Sequence, residues 1–288
     1  MIPAGLTWLR GTEAGRAWLD ALPRLVRECA ERWGLRLGEP FQDAFVSLPL
    51  PATLPNGTGV VLKIQFPGRE SEHEAAALAH WNGDGAIQLL AQDAERHAML
   101  LERCVPGTPL SLVSMYQALD VFVELLPRLW KPAGAPFRSL EEEAAWWAEG
   151  LADTWERAGR PFERVLLDAA LDALRTLPST QGEQVLLHQD LHGDNVLRAE
   201  REPWLAIDPK PLAGEREFGV APVVRSSELG HGRREVERRL DRLTDELGLD
   251  RDRARLWSLA QTVAWSFENG ALPRHVETAH WLLEKVSS

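Results

Sequence analysis

Residues Leu186 to Leu197 read LLHQDLHGDNVL, with His188, Asp190, His192 and Asp194 at every second position and Asn195 directly behind them. Two chemistries use such a set. Side chains at alternate positions of an extended strand point the same way, so four ligand-type groups could cage a hydrolytic metal. An aspartate two residues after a histidine and five before an asparagine instead suggests phosphoryl transfer. The cage needs more histidines or carboxylates at ligand spacing. His73, His80, His97, His231, His275 and His280 form no such pattern, and Gly193 interrupts the strand that the alternation requires. Phosphoryl transfer is the better reading.

That chemistry requires three more groups: a second metal-holding carboxylate at a strand end, a lysine for the phosphates, and an acid to hold the lysine. Asp208 closes the apolar run WLAI just before Pro209, thirteen residues beyond Asn195 and so at hairpin distance. Lys63 lies inside the apolar stretch GVVLKIQF, where an ammonium is costly to desolvate and needs a carboxylate or a phosphate. Glu74 follows on the next helix, with Glu72 and Glu70 behind it. Taken singly, a strand lysine is more often a snorkelling edge residue and Asp-Pro more often a turn. Their order and spacing together carry the argument.

The elements around these groups can be read from the pattern. Trp18, Leu22, Leu25, Cys29 and Trp33 keep helical spacing and predict an amphipathic helix between Thr12 and Gly34, kinked or split at Pro23. FVSLPL, the turn residues Asn56 and Gly57, and GVVLKIQF predict a hairpin whose second strand carries Lys63. EHEAAALAHW reads as a helix, and IQLL and HAMLLER as two further strands. From Leu110 onward helical patterns dominate, broken by short apolar runs at VLL, NVL and WLAI. The expected fold class is α+β, with a composition change near CVPGTPL marking the boundary between a sheet-containing part and a helical part.

The chain has 288 residues, of which 44% are hydrophobic and 26% charged, the make-up of a folded globular protein with room for one large domain or two lobes. Thirty-two basic residues against 43 acidic ones give a net charge of -11, which opposes nucleic acid and anionic membrane surfaces and suits a cationic partner. Cys29 and Cys104 show no paired spacing, so neither a disulfide framework nor a cysteine zinc site is expected. The opening MIPAGLTWLRGTEAGRAW lacks the features of a signal peptide, and no run approaches eighteen apolar residues. A cytoplasmic protein follows as the expectation. Most of the twelve tryptophans, Trp18, Trp33, Trp146, Trp147, Trp155, Trp257 and Trp265 among them, fall in helical patterns and are expected in the core.

HQDLHGDN matches the catalytic-loop pattern HxDxxxxN, and the chain resembles the aminoglycoside phosphotransferases. WLAIDPKPLAGEREFGVAP, HWNGDGAIQLL and MLLERCVPGTPL are similar to segments of that family's streptomycin 6-kinase and hydroxyurea phosphotransferase branch. The similarity runs from about Val60 to Val224 and is most specific between Leu186 and Glu215. It implies a protein-kinase-like fold: a small lobe over residues 1–101, a hinge over 102–108 and a helical lobe over 109–288. It also implies ATP and Mg2+ as cofactors. Asp190 would be the catalytic aspartate, Asn195 and Asp208 would hold magnesium, and Lys63, fixed by Glu74, would touch the α- and β-phosphates. Backbone groups of Glu102, Arg103 and Cys104 would receive adenine, and His188 and His192 would shape the loop. The pattern departs from the family in three places. SLPLPATLPNGTG before Lys63 offers no GxGxxG loop, Gln189 replaces a common glycine, and Gly219 stands where many relatives carry an aspartate.

The resemblance further implies a small-molecule cationic acceptor in an acid-lined cleft, with no obligate protein partner. Glu142, Glu143, Asp153 and Glu268 are the candidate acids, and Trp265 is available for stacking or cation–π contact. A plainer reading makes Glu141 to Glu143 a solvated helix face, and it is preferred for that run. The leading function is phosphorylation of an aminoglycoside, foremost the 6-hydroxyl of streptomycin. The alternatives are a kinase of hydroxyurea or another small alcohol or sugar, and a nucleotide-binding pseudokinase acting as an interaction module. The intact set Lys63, Asp190, Asn195 and Asp208 argues against the last.

Overall fold

Thr12 and Gly34 bracket the first long helix. In the protein's structure, a computed structural model describing residues 2–42, 44–267 and 272–284, α1 spans Glu13–Trp33. Thr12 Oγ1 accepts the Gly15 N–H at its start, and Gly34 ends it at φ +64, a conformation that glycine adopts without steric cost. The expected break at Pro23 does not occur; α1 runs through it unbroken. Its buried face of Trp18, Leu19, Leu22 and Cys29 packs with Leu48, Leu50, Leu62 and Ile64 of the sheet, and that burial outweighs one missing backbone hydrogen bond.

The chain divides into two units, residues 1–108 with 198–207, and residues 109–197 with 208–288. In the first, strands β1 (Arg36–Leu37), β2 (Ser47–Thr53) and β3 (Gly59–Gln65), helix α2 (Glu74–Trp81), and strands β4 (Leu89–Asp93) and β5 (Ala98–Glu102) form an antiparallel sheet in the order β1-β2-β3-β5-β4. Pro49 and Pro51, two apart in β2, turn the same edge toward residues 38–41. Their carbonyls accept from Phe41 and Gly38 there, and the donors they lack are not needed for pairing with β3. Sequence periodicity missed the two-residue β1, and β4 begins at Leu89, two residues later than IQLL suggests.

In the second unit α3 (Met115–Leu129), α4 (Leu140–Arg157) and α5 (Arg164–Thr176) precede a run of short strands: β6 (Val185–Leu187), β7 (Val196–Arg198), β8 (Trp204–Ala206) and β9 (Leu212–Gly214). Of these, residues 198–207 belong with the first unit. Helices α6 (Arg216–Gly219), α7 (Ala221–Arg225), α8 (Arg233–Leu247), α9 (Arg251–Ala264) and α10 (Pro273–Leu283) complete it. Glu215, buried just after β9, accepts from Arg253 Nε on both oxygens at 2.7 Å and from the Trp257 indole, and so ties α9 to the end of the β6/β9 pair. Trp18, Trp147, Trp155 and Trp257 are core residues as expected, whereas Trp146 is exposed. Among the described residues no helix is long and apolar enough to cross a membrane.

Candidate active site

Strand β6 delivers the HQDLHGDN loop, and β9 leaves the DPKP segment. They pair antiparallel, with Leu187 opposite Leu212. One step further on, the Lys210 N–H donates to the His188 carbonyl at 3.0 Å. This register lays Asp208 to Lys210 alongside His188 to Asp190, although some twenty residues separate them in sequence.

Asp190 is buried, and two cations reach its carboxylate: Lys210 Nζ lies 3.1 Å from Oδ2, and Arg225 Nη2 donates to Oδ1 at 3.2 Å. Burial by itself would raise the carboxyl pKa. Lys210, Arg225 and His192 together outweigh it and hold the group below the ordinary aspartate value, so Asp190 is ionised at neutral pH. Both cations also lie against the Trp265 indole, with Nζ of Lys210 4.7 Å and Cζ of Arg225 4.5 Å from a ring centroid.

The loop around Asp190 is held on several sides. Gln189 sits at φ +64, in the left-handed region that a glycine would occupy more readily. Its carbonyl accepts from Gln261 Nε2 at 2.9 Å, and its own amide lies 3.4 Å from Glu143 Oε1. Glu143 is buried and takes Arg138 Nε at 2.8 Å, which corrects the expectation of a solvated face at that residue, while Glu141 and Glu142 are exposed as expected. Glu142 caps α4 reciprocally with Ser139. His192 Nδ1 accepts the Asp194 N–H and caps the turn Gly193–Asn195. That turn breaks the alternation of the four ligand-type residues, and among the described residues no group of three or more His, Cys, Asp or Glu could hold a metal.

Asn195 and Asp208 are the oxygen donors expected for magnesium. Asn195 Nδ2 donates to the Asp190 carbonyl at 2.9 Å, which orients the amide and leaves Oδ1 as the atom for a cation. Asp208 adds a carboxylate on a backbone at φ +56, a conformation aspartate tolerates better than most side chains. Two hard oxygen donors suit Mg2+, which takes its remaining ligands from phosphate and water. In donor chemistry each of the two residues suits that ion.

In the first unit Lys63 Nζ lies 2.7 Å from both carboxylate oxygens of Glu74, and Gln65 Nε2 donates to Oε2 at 2.6 Å. The Glu102 carboxylate is occupied by Arg201 and by the Gln88 N–H, and its own N–H donates to the Gln88 carbonyl. Burial, with Glu102 adding to it, pushes the Cys104 thiol up to about 12, and both cysteines are free. Asp153 is exposed on α4, and Glu268 lies outside the described residues.

Comparison with known proteins matches residues 32–270 to a family described as aminoglycoside/hydroxyurea antibiotic resistance kinase. The chain belongs to this family of kinases. It is 40% identical over 270 residues to streptomycin 6-kinase of Streptomyces griseus, covering 90% of this chain and 88% of that one. It is 41% identical over 300 residues to hydroxyurea phosphotransferase of Kitasatospora aureofaciens, covering 99% and 86%. Among solved structures it superposes on choline kinase LicA from Streptococcus pneumoniae with a TM-score of 0.63 at 14% identity, covering 91% of this chain and 98% of that one. The α+β protein-kinase-like fold is thus established.

Several groups of this kinase escaped sequence reasoning. Lys210 stood in the quoted DPKP segment without a role, and nothing about Arg225, Gln261 or Arg138 singled them out. The single available signal was a lysine two residues past the carboxylate assigned to the metal. Gly219 replaces an expected aspartate for a steric reason, since a Cβ there would come within 2.7 Å of Trp130 Nε1.

Proposed function

We propose that this kinase transfers the γ-phosphoryl group of ATP to a hydroxyl of an aminoglycoside, namely the 6-hydroxyl of streptomycin. The observation that carries the reading is Asp190: a buried, ionised carboxylate in an HxDxxxxN loop, in a chain 40% identical to a streptomycin 6-kinase. The acceptor oxygen forms a bond to the γ-phosphorus while the bond to the bridging oxygen breaks. ADP departs with the electron pair, and the acceptor proton passes by way of Asp190 to solvent. Asp190 orients the hydroxyl more than it strips it, because a carboxylate held at low pKa is a weak base. Lys63, fixed by Glu74, holds the α- and β-phosphates, and the backbone from Glu102 to Cys104 takes the adenine. Asn195 and Asp208 hold magnesium, which when bound neutralises charge on the phosphates.

A second acceptor has its own support. The identity to a hydroxyurea phosphotransferase is as high, over 99% of the chain, and two cations beside Asp190 suit a small uncharged acceptor. An ADP-release assay with MgATP against streptomycin, dihydrostreptomycin, kanamycin, hygromycin, hydroxyurea and simple sugars tests both readings, with Asp190→Asn as control. Turnover with streptomycin that is lost in the variant supports the first reading; turnover with hydroxyurea alone replaces it by the second.

A further inference from the structure

The two cations at Asp190 differ in kind. Arg225 presents a rigid fork to Oδ1 from α7, whereas Lys210 reaches Oδ2 on a flexible four-carbon stem from the segment that carries Asp208 two residues earlier. A productive acceptor hydroxyl must come within about 2.6–3.2 Å of one oxygen of Asp190. When it takes Oδ2, Arg225 still compensates the carboxylate through Oδ1, and the Lys210 ammonium can turn without leaving a bare buried charge. The Trp265 ring at 4.7 Å from Nζ gives that ammonium a non-directional platform, which holds a cation near a point and does not fix where its N–H bonds aim. The hydroxyl that Asp190 orients attacks the γ-phosphorus from about 3–3.5 Å, so a donor one hydrogen bond from Asp190 is also within reach of the oxygens on that phosphorus. The negative charge of the phosphoryl group in transfer is spread over those oxygens.

We propose that Lys210 is a second catalytic residue, whose ammonium passes from Asp190 Oδ2 to an oxygen of the phosphoryl group in transfer, with Trp265 and Arg225 as positioning residues. Lys210 donates a hydrogen bond and keeps its proton throughout; the bonds made and broken are those of the transfer described above. Trp265 thereby serves the protein's own cations rather than the acceptor's. The proposal rests on the reading of Asp190 as the acceptor-orienting carboxylate.

The test compares Lys210→Met, Lys210→Arg, Trp265→Phe and Asp190→Asn in two reactions, streptomycin-dependent ADP release and the slow acceptor-free hydrolysis of MgATP, with MgATP affinity measured by calorimetry. Lys210→Met is expected to lower kcat about a hundredfold in both reactions, as loss of one transition-state donor does, while leaving the MgATP Kd within about threefold. Lys210→Arg should recover about tenfold of that loss, and Trp265→Phe should cost about three- to fivefold in kcat through the weaker ring. Should Lys210→Met not fold, the Arg and Phe variants carry the comparison, and parental rates in both overturn the proposal. It is also overturned if Lys210→Met keeps its kcat, if it weakens MgATP binding without slowing turnover, or if acceptor-free hydrolysis proceeds at the parental rate. Wild-type turnover by Asp190→Asn strikes the underlying reading; an impaired Asp190→Asn beside an unimpaired Lys210→Met strikes this proposal alone.

Discussion

Lys63 and Glu74 face each other across 2.7 Å with their side chains almost wholly out of water, and both carboxylate oxygens accept from the one ammonium. Removing one partner from such a pair takes from the other a counter-charge 2.7 Å away in a buried setting. Glu74→Ala should therefore lose about 3–5 kcal/mol of unfolding free energy in urea titrations, and the double change Lys63→Met, Glu74→Leu should lose clearly less. Equal losses in the two proteins would show that the penalty does not come from the charge left on Lys63.

Asp190→Asn replaces the carboxylate proposed to orient the acceptor with an amide of nearly the same shape. Turnover should fall by about 10²–10⁴-fold, with MgATP affinity unchanged in calorimetric titration. An amide at this position also gives up the attraction of Lys210 and Arg225, so thermal melting should show some loss of stability even where nucleotide binding does not change.

Asp208→Ala should act on the nucleotide itself. Loss of a carboxylate assigned to the metal should weaken MgATP binding by about tenfold or more, while binding of magnesium-free ATP changes far less. Identical MgATP and metal-free ATP affinities in variant and parent would remove Asp208 from the metal site.

His275 links stability to pH. Its Nδ1 lies 2.9 Å from the Trp265 carbonyl; burial, with Arg225 nearby, lowers its pKa from the ordinary 6.5 to about 4. The folded state therefore binds the proton less readily than the unfolded chain. The contribution is fully present above pH 6.5 and is lost progressively as pH falls from there to about 4. Melting temperatures measured from pH 7 to 4.5 should fall less steeply for His275→Asn than for the parent. Parallel curves would contradict the assignment.

The parts legible in the sequence were those set by local chemistry. An HxDxxxxN spacing, a lysine in an apolar strand and an acid eleven residues later are constraints between near neighbours, as are the Thr12 and Gly34 ends of α1 and the Asn56-Gly57 hairpin. Short elements were not legible: β1 has two residues and β9 three, too few for any period to show. Glu143 was misread because three consecutive glutamates look like a wet surface, whereas the third one is buried with the Arg138 and Gln189 side chains beside it.

The sequence by itself determined the reaction class and the α+β fold class and singled out the HQDLHGDN loop, because each depends on residue types and on their order and spacing along the chain. The tertiary structure alone decided the electrostatics of that loop. Pairing of Val185–Leu187 with Leu212–Gly214 carries Lys210 to Asp190, α7 brings Arg225, and the end of α9 sets Trp265 beneath both cations. These contacts join residues 20 to 55 positions apart, and no spacing rule reaches that far, since what holds them together is burial and register rather than local periodicity.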